Sequence, residues 1–167
     1  VFTNTRDTFP NTSDSVTELN IEKSVPESYK GFNGNNGFQF EVTLSNLTPN
    51  STYQYEQYGQ TRDFTSDENG LATLSLSISK TSPVKIIGNG LSSFKYSIKE
   101  NAPLAGDTYT FIPSMQVYED ASLIDNVGGK KGIDFISKTY TAKTGKINRA
   151  VVTNDMYDLY QFNLSKV

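Results

Sequence analysis

The sequence predicts an all-β domain built as a sandwich or barrel of short strands. Ten tyrosines, ten phenylalanines and many Thr, Val and Ile residues favour extended structure. Clusters of Gly, Asn, Ser and Pro recur at roughly 8–12-residue spacing, which is typical of such folds. We find no convincing helical period, and residues 118–127 are the one short helix candidate. A length of 167 residues suits a single domain with flanking tails.

The first two strands are predicted from alternation of apolar and polar side chains. In the first strand, Leu19, Ile21 and Val25 alternate with polar residues. A segment rich in Gly and Asn follows, and the next strand, FQFEVTL at 38–44, has the clearest alternation of the chain. Each strand therefore has one face toward a core and one toward solvent.

The same reasoning places further strands along the chain. Candidates lie at 53–58, 61–66, 72–78, 84–87 and 94–100, with a DENG turn at 67–70. The stretch 101–135 is less regular, with short strand candidates at 109–112 and 115–118 before the loop VGGKKG. Residues 136–142 and 147–153 are expected to form a last hairpin.

The absent residue types exclude much of enzyme chemistry. Without cysteine there is no disulfide framework, thiolate metal site or cysteine nucleophile, and without histidine no Ser-His-Asp triad or histidine–zinc site. A net charge of -3 argues against nucleic acid or an anionic membrane as partner. No apolar run approaches the ~20 residues of a membrane span. We expect no metal and no cofactor.

Strand register places three polar side chains on core-facing positions. Lys23 shares a face with Ile21, Glu100 with Ile98, and Asn154 with Val152. Taken one at a time, each has an ordinary structural explanation: a lysine reaching solvent, a polar strand end and a turn asparagine.

If these three residues meet, they have a defined chemistry. Burial lowers the pKa of a lysine and raises that of a glutamic acid, so both tend toward the neutral form. A neutral Lys23 amine can attack the Asn154 side-chain carbon and expel ammonia, while Glu100 relays protons. The product is an isopeptide bond, formed once and without histidine, cysteine, metal or cofactor.

Five short motifs together resemble a known family. They are LNIEKSV at 19–25, FQFEVTL at 38–44, FTSDENGLATLSL at 64–76, YSIKE at 96–100 and VVTN at 151–154. In this order they resemble the isopeptide-forming, collagen-adhesin B-type domains of Gram-positive surface proteins and backbone pilins. One departure is NGLSS at 89–93, where the family usually has L-P-x-G.

The resemblance implies an immunoglobulin-like, collagen-adhesin B-type β-sandwich with an irregular insertion around 101–135. It implies Lys23 as nucleophile, Glu100 as catalytic proton relay and Asn154 as acceptor. Asn163 is an alternative acceptor, although its neighbours give it a less favourable register.

The chain ends resemble parts of the domain itself. VFTN at 1–4 is similar to VVTN at 151–154, and FNLSKV at 162–167 is similar to the first strand, with Lys166 in the place of Lys23. We therefore interpret the chain as part of a tandem array.

This interpretation divides the chain into three parts. They are 1–18, the end of a preceding domain and a linker; 19–154, the isopeptide-bonded domain; and 155–167, a linker and the start of a following domain. Asn4 and Lys166 would then belong to the bonds of neighbouring domains.

The resemblance implies a structural stalk domain of an adhesin or pilus on the outside of a Gram-positive cell. We expect a monomer whose partners are neighbouring domains of the same protein, with no enzyme activity beyond one autocatalytic cross-linking event. The alternative is a ligand-binding adhesin domain that recognises a host matrix protein or glycan through Tyr53, Tyr55 and Tyr58. A carbohydrate hydrolase or a calcium site using Asp63, Asp67 and Glu68 has less support, because these residues lie in a turn pattern.

Overall fold

A computed structural model describes residues 16–25, 37–88, 92–102 and 109–158. These residues contain twelve strands and no helix, which confirms the predicted all-β fold. The strands are β1 Glu18–Ser24, β2 Phe38–Ser45, β3 Thr52–Gln57, β4 Gln60–Thr65, β5 Ala72–Ile78, β6 Val84–Ile87, β7 Phe94–Glu100, β8 Tyr109–Glu119, β9 Ser122–Gly128, β10 Phe135–Ile136, β11 Tyr140–Ala142 and β12 Ile147–Asp158. Within these ranges no helix has the length and apolar character that crossing a membrane requires.

The larger sheet has seven strands in the order β4-β3-β6-β1-β12-β8-β9. Its two central neighbours, β1 and β12, run parallel, with Lys23 paired to Val152 and Ser24 to Thr153. Its other pairings are antiparallel. The first and last described strands are therefore adjacent, although they are far apart in the sequence.

The smaller sheet has the order β10-β7-β2-β5, and β11 also pairs with β7. Apolar side chains from both sheets form one core between them. Its fully buried members include Leu19, Ile21, Phe38, Val42, Ile78, Tyr96, Ile98, Phe111, Met115 and Val152. The alternation in β1, β2, β5 and β7 thus predicted the core face of each strand correctly.

Residues 109–135 are more regular than the irregular insertion predicted around 101–135. β8 is one continuous strand that pairs with β12 along its whole length and turns into the edge strand β9. The helix candidate at 118–127 is instead a tight turn followed by β9. Gly129 N donates to Pro113 O, so the nitrogen of Pro113, which has no N–H, also faces the β9 side. The ladder to β12 is left intact.

The predicted last hairpin is wrong. β10 and β11 pair with β7 in the smaller sheet, whereas β12 lies in the larger sheet between β1 and β8. Residues 136–142 and 147–153 are therefore on opposite sides of the core. Period-two alternation identifies a strand but carries no information about its partner.

Candidate functional site

A buried lysine, glutamate and asparagine lie together between the two sheets. Lys23 is near the end of β1 and Asn154 is on β12, both in the larger sheet, whereas Glu100 is the last residue of β7 in the smaller sheet. Lys23 is 5% exposed, Asn154 0% and Glu100 1%. Each occupies a core-facing position because its strand alternates between core and solvent.

One carboxylate oxygen joins the other two side chains. Lys23 Nζ lies 2.9 Å from Glu100 Oε2, and Asn154 Nδ2 donates a hydrogen bond to the same oxygen at 3.1 Å. The parallel pairing explains the proximity: Lys23 is opposite Val152, so Asn154 is the next core-facing residue along β12. The amine and the amide thus occupy neighbouring places on neighbouring strands.

Two further groups hold the Lys23 amine. Its Nζ donates to Val152 O at 3.2 Å and lies 4.4 Å from the centroid of the Phe38 ring. Phe38 in turn contacts Phe111 edge to face, with ring centroids 5.9 Å apart. Both rings are buried, so the amine is in an environment from which water is largely excluded.

Burial shifts both ionisable groups toward their neutral forms. It lowers the pKa of the Lys23 amine from 10.5 to about 8, although the nearby charge and hydrogen bond of Glu100 act in the opposite direction. Burial likewise raises the pKa of the Glu100 carboxyl above its ordinary 4.5, against the influence of Lys23 and the Asn154 hydrogen bond. Transfer of a proton from the amine to the acid is therefore less unfavourable here than it is in water.

Two buried oxygens of the cluster, Glu100 Oε1 and Asn154 Oδ1, have no hydrogen-bond partner within the described part of the chain. A carboxylate and an amide carbonyl can only accept, so neither can satisfy the other. Leaving buried acceptors unsatisfied is costly. The raised pKa of Glu100 favours its protonated form, in which the carboxyl has an O–H that can donate a hydrogen bond.

The structure brings together Lys23, Glu100 and Asn154, the three residues that strand register placed inward. Their roles in bond formation stay predictions. Asn163, the alternative acceptor, lies outside the described residues, as do Asn4 and Lys166. The proposed division of the chain into domains also depends on segments outside those ranges. β12 itself continues beyond Asn154 to Asp158.

Two of the acidic residues considered for a hydrolase or calcium site, Asp63 on β4 and Asp67 in the turn after it, make contacts that stabilise local structure. Asp67 Oδ1 accepts hydrogen bonds from the backbone N–H groups of Asn69 and Leu71 and so fixes the turn. Asp63 accepts from Gln54 Nε2 on the adjacent strand. Across the described ranges no group of three or more acidic residues is arranged to hold a metal ion.

The three tyrosines of the binding alternative do not form one exposed patch. Tyr53 is buried and stacks on Phe64 with ring centroids 5.7 Å apart, and Tyr55 is half-buried against the same ring at 6.2 Å. Tyr58 alone of the three is well exposed, at 65%. The first two are ordinary packing residues of the sheet.

Sequence analysis missed two buried features, one beside the cluster and one near the start of β12. Phe38 was identified only as a core residue, because alternation shows that a side chain faces inward but not what it contacts. Asn148 is also buried, and its Nδ2 donates to the carbonyls of Glu18, Lys143 and Lys146. It shares a face with Ala150, so the register argument could have found it.

Comparison with known proteins matches the chain to solved structures. No protein-family model matches it, and no curated protein does. The major pilin from Streptococcus pyogenes aligns with a TM-score of 0.57 at 18% identity, and its asparagine-to-alanine mutant with 0.58 at 18%. The major pilin protein T3.2 of the same species aligns with 0.52 at 14%.

Each of these alignments covers 84% of this chain. They cover 48% of the major pilin, 48% of its mutant and 45% of T3.2, so this chain spans about half the length of the pilins it matches. At such identities the likeness establishes the fold. The chain has the β-sandwich fold of Gram-positive pilin domains, and the resemblance predicted from its motifs is confirmed at that level.

Proposed function

We propose that this domain is a structural stalk unit of a Gram-positive surface pilus or adhesin, cross-linked internally by an isopeptide bond. The bond joins Lys23 Nζ to Asn154 Cγ, and Glu100 relays the protons. The observation that supports this most is the buried contact of Glu100 Oε2 with both the lysine amine and the asparagine amide. The similarity of the fold to that of a major pilin supports the proposed role on the cell surface.

The chemistry balances with these three side chains alone. A proton passes from Lys23 Nζ to Glu100, which leaves a neutral amine and a protonated acid. The amine attacks Asn154 Cγ while the acid donates to the carbonyl oxygen. Glu100 then passes a proton from Nζ to Nδ2, the carbonyl oxygen returns its proton to Glu100, and the Cγ–Nδ2 bond breaks as ammonia leaves. No oxidant, metal or second substrate is consumed.

Such a bond would connect β1 covalently to β12. Tension applied to the two ends of the domain would pass along β1 to Lys23, through the bond and out along β12 from Asn154. Residues 24–153 would lie outside that path. A domain that carries load without unfolding is suited to a tether.

The mass of the intact, denatured protein tests the proposal. We expect the wild type to be lighter than its sequence by one ammonia, and digestion to release the Lys23 peptide joined to the Asn154 peptide. Lys23→Ala should have its full sequence mass. A wild type of full mass would refute the cross-link and leave the fold unaffected.

A further inference from the structure

A groove of about 650 Å³ lies along β1, β3 and β6 of the larger sheet, and its lining includes the outward-facing Asn20 and Glu22 as well as the core-facing Lys23. Its volume is within the ~300–1,000 Å³ of small-molecule sites. A row of four side chains on successive strands lines it: Thr61 on β4 pairs with Glu56 on β3, Glu56 with Lys85 on β6, and Lys85 with Asn20 on β1. The groove thus presents alternating hydrogen-bond donors and acceptors.

The walls of the groove are held in place by a buried amide. Gln57 Nε2 donates to Ser77 O at 2.8 Å and to Ser82 O at 3.1 Å. These bonds fix the turn at 79–82, which forms one rim, to the β3–β4 hairpin, which forms the other. Ser82 Oγ also accepts from Ser79 N inside that turn. The groove is therefore preorganised.

An unusual tyrosine stands at the rim. Four non-glycine residues in the described ranges have positive φ, and three of them, Asn46, Asn50 and Asp120, are of the types that tolerate it. The fourth is Tyr58, with φ 57°, at a hairpin turn where Asn is favoured. Its ring is 65% exposed and lines the groove. A bulky side chain in an unfavourable conformation suggests a role for the ring.

Two acidic and three basic residues line the groove, and two of the five are uncommitted. The five are Glu22, Glu56, Lys80, Lys85 and Lys23, of which Lys23 is paired with Glu100. Glu22 is occupied by Arg149, whose Nε and Nη2 donate to its carboxylate at 2.7 and 3.0 Å. Glu56 and Lys85 are register partners, yet within the described parts of the chain neither forms an ion pair. Both are available to a ligand.

We propose that this groove binds a neutral saccharide. Sugar hydroxyls both donate and accept, so they match the row of Thr61, Glu56 and Lys85. The apolar C–H face of a sugar ring fits against an exposed aromatic ring, which Tyr58 supplies. Because Glu100 pairs with Lys23, the remaining two acidic and two basic residues of the groove give no preference for an anionic glycan. The assignment does not depend on the Lys23–Asn154 bond, although Lys23 is also among the residues that line the groove.

Titration of the ¹⁵N-labelled full chain with lactose, maltotriose and the trimer of N-acetylglucosamine, followed by amide chemical shifts, tests this site. We expect at least one saccharide to shift the signals of Gly59, Thr61 and Lys85 saturably in the millimolar range. Tyr58→Phe should keep the affinity. Tyr58→Asn, which suits the turn but lacks the ring, should weaken it roughly tenfold.

Leu123→Ala is the matched control, since Leu123 is an exposed apolar residue on β9 at the far edge of the same sheet. It should bind like the wild type. The proposal is overturned if none of the three saccharides shifts the groove signals, or if Tyr58→Asn binds unchanged. It is also overturned if the same signals respond to an extended peptide but to no saccharide.

Discussion

Lys23 Nζ lies 2.9 Å from Glu100 Oε2, and the two side chains are 0% and 1% exposed. A buried ion pair gains its Coulomb energy only against a large desolvation penalty. Here that penalty lowers the pKa of the amine and raises that of the acid. The pair therefore titrates as one unit that holds a single shared proton over a range of pH. Such a pair is equipped to move a proton during bond formation.

Glu100→Gln should fold but fail to form the bond. Glutamine has nearly the same shape and can still accept from Asn154 Nδ2, yet it cannot take a proton from Lys23. We expect a protein of full sequence mass, with far-UV circular dichroism like that of the wild type. Complete loss of ammonia in this variant would remove Glu100 from the mechanism.

Glu119→Gln is the control for that variant. Glu119 also forms an ion pair with a lysine, since Lys143 Nζ lies 2.7 Å from its Oε2. Unlike the Lys23–Glu100 pair, this pair is partly exposed. The mass deficit of one ammonia should be unchanged. A full-mass product here would mean that bond formation responds to any loss of a lysine–glutamate pair.

Asn154→Ala should lower the free energy of unfolding by about 4–5 kcal/mol, because the cross-link closes a loop of more than ~100 residues in the unfolded chain. Chemical denaturation followed by fluorescence measures the difference. Asn148→Ala, at another buried asparagine of β12, should cost about 1–3 kcal/mol from its lost hydrogen bonds. It should retain the mass deficit, which separates loss of the bond from loss of packing.

The stability of Asn154→Ala should rise between about pH 8 and 10.5. In this variant Lys23 stays a free amine whose pKa is lowered from 10.5 in the folded state. Between the two values the unfolded chain binds more protons, so raising the pH favours folding. The linked wild type has an amide at this position and should lack this contribution. Equal pH slopes for the two proteins would contradict the lowered pKa or the bond.

Tyr58→Asn should stabilise the domain by roughly 0.5–1 kcal/mol, because asparagine tolerates the left-handed conformation better than tyrosine does. Denaturation of both proteins in the Asn154→Ala background measures the change. The reciprocal substitution, Asn50→Tyr at φ 52°, should be destabilising by a similar amount. A destabilising Tyr58→Asn would show that the ring contributes packing energy rather than strain.

The sequence predicted strands and their faces better than it predicted their partners. Alternation identified Phe38, Val42 and Ile98 as core residues, since burial on one side of a sheet leaves a local pattern. The same argument placed Lys23, Glu100 and Asn154 inward. It could not show that β1 and β12 run parallel, because pairing between distant segments leaves no local pattern.

The parallel pairing of β1 and β12 also determines the distance between the start of β1 and the end of β12. β1 begins at Glu18, which pairs with Ile147 at the start of β12. β12 then runs to Asp158, so the two poles of the domain are the end at Glu18 and Ile147 and the end at Asp158. β12 contains 12 residues, so at ~3.3 Å per residue the two poles are about 40 Å apart. An antiparallel pair would return the chain to the pole where it entered. Copies of this domain joined in series would advance along one direction, and their reach would grow in proportion to their number.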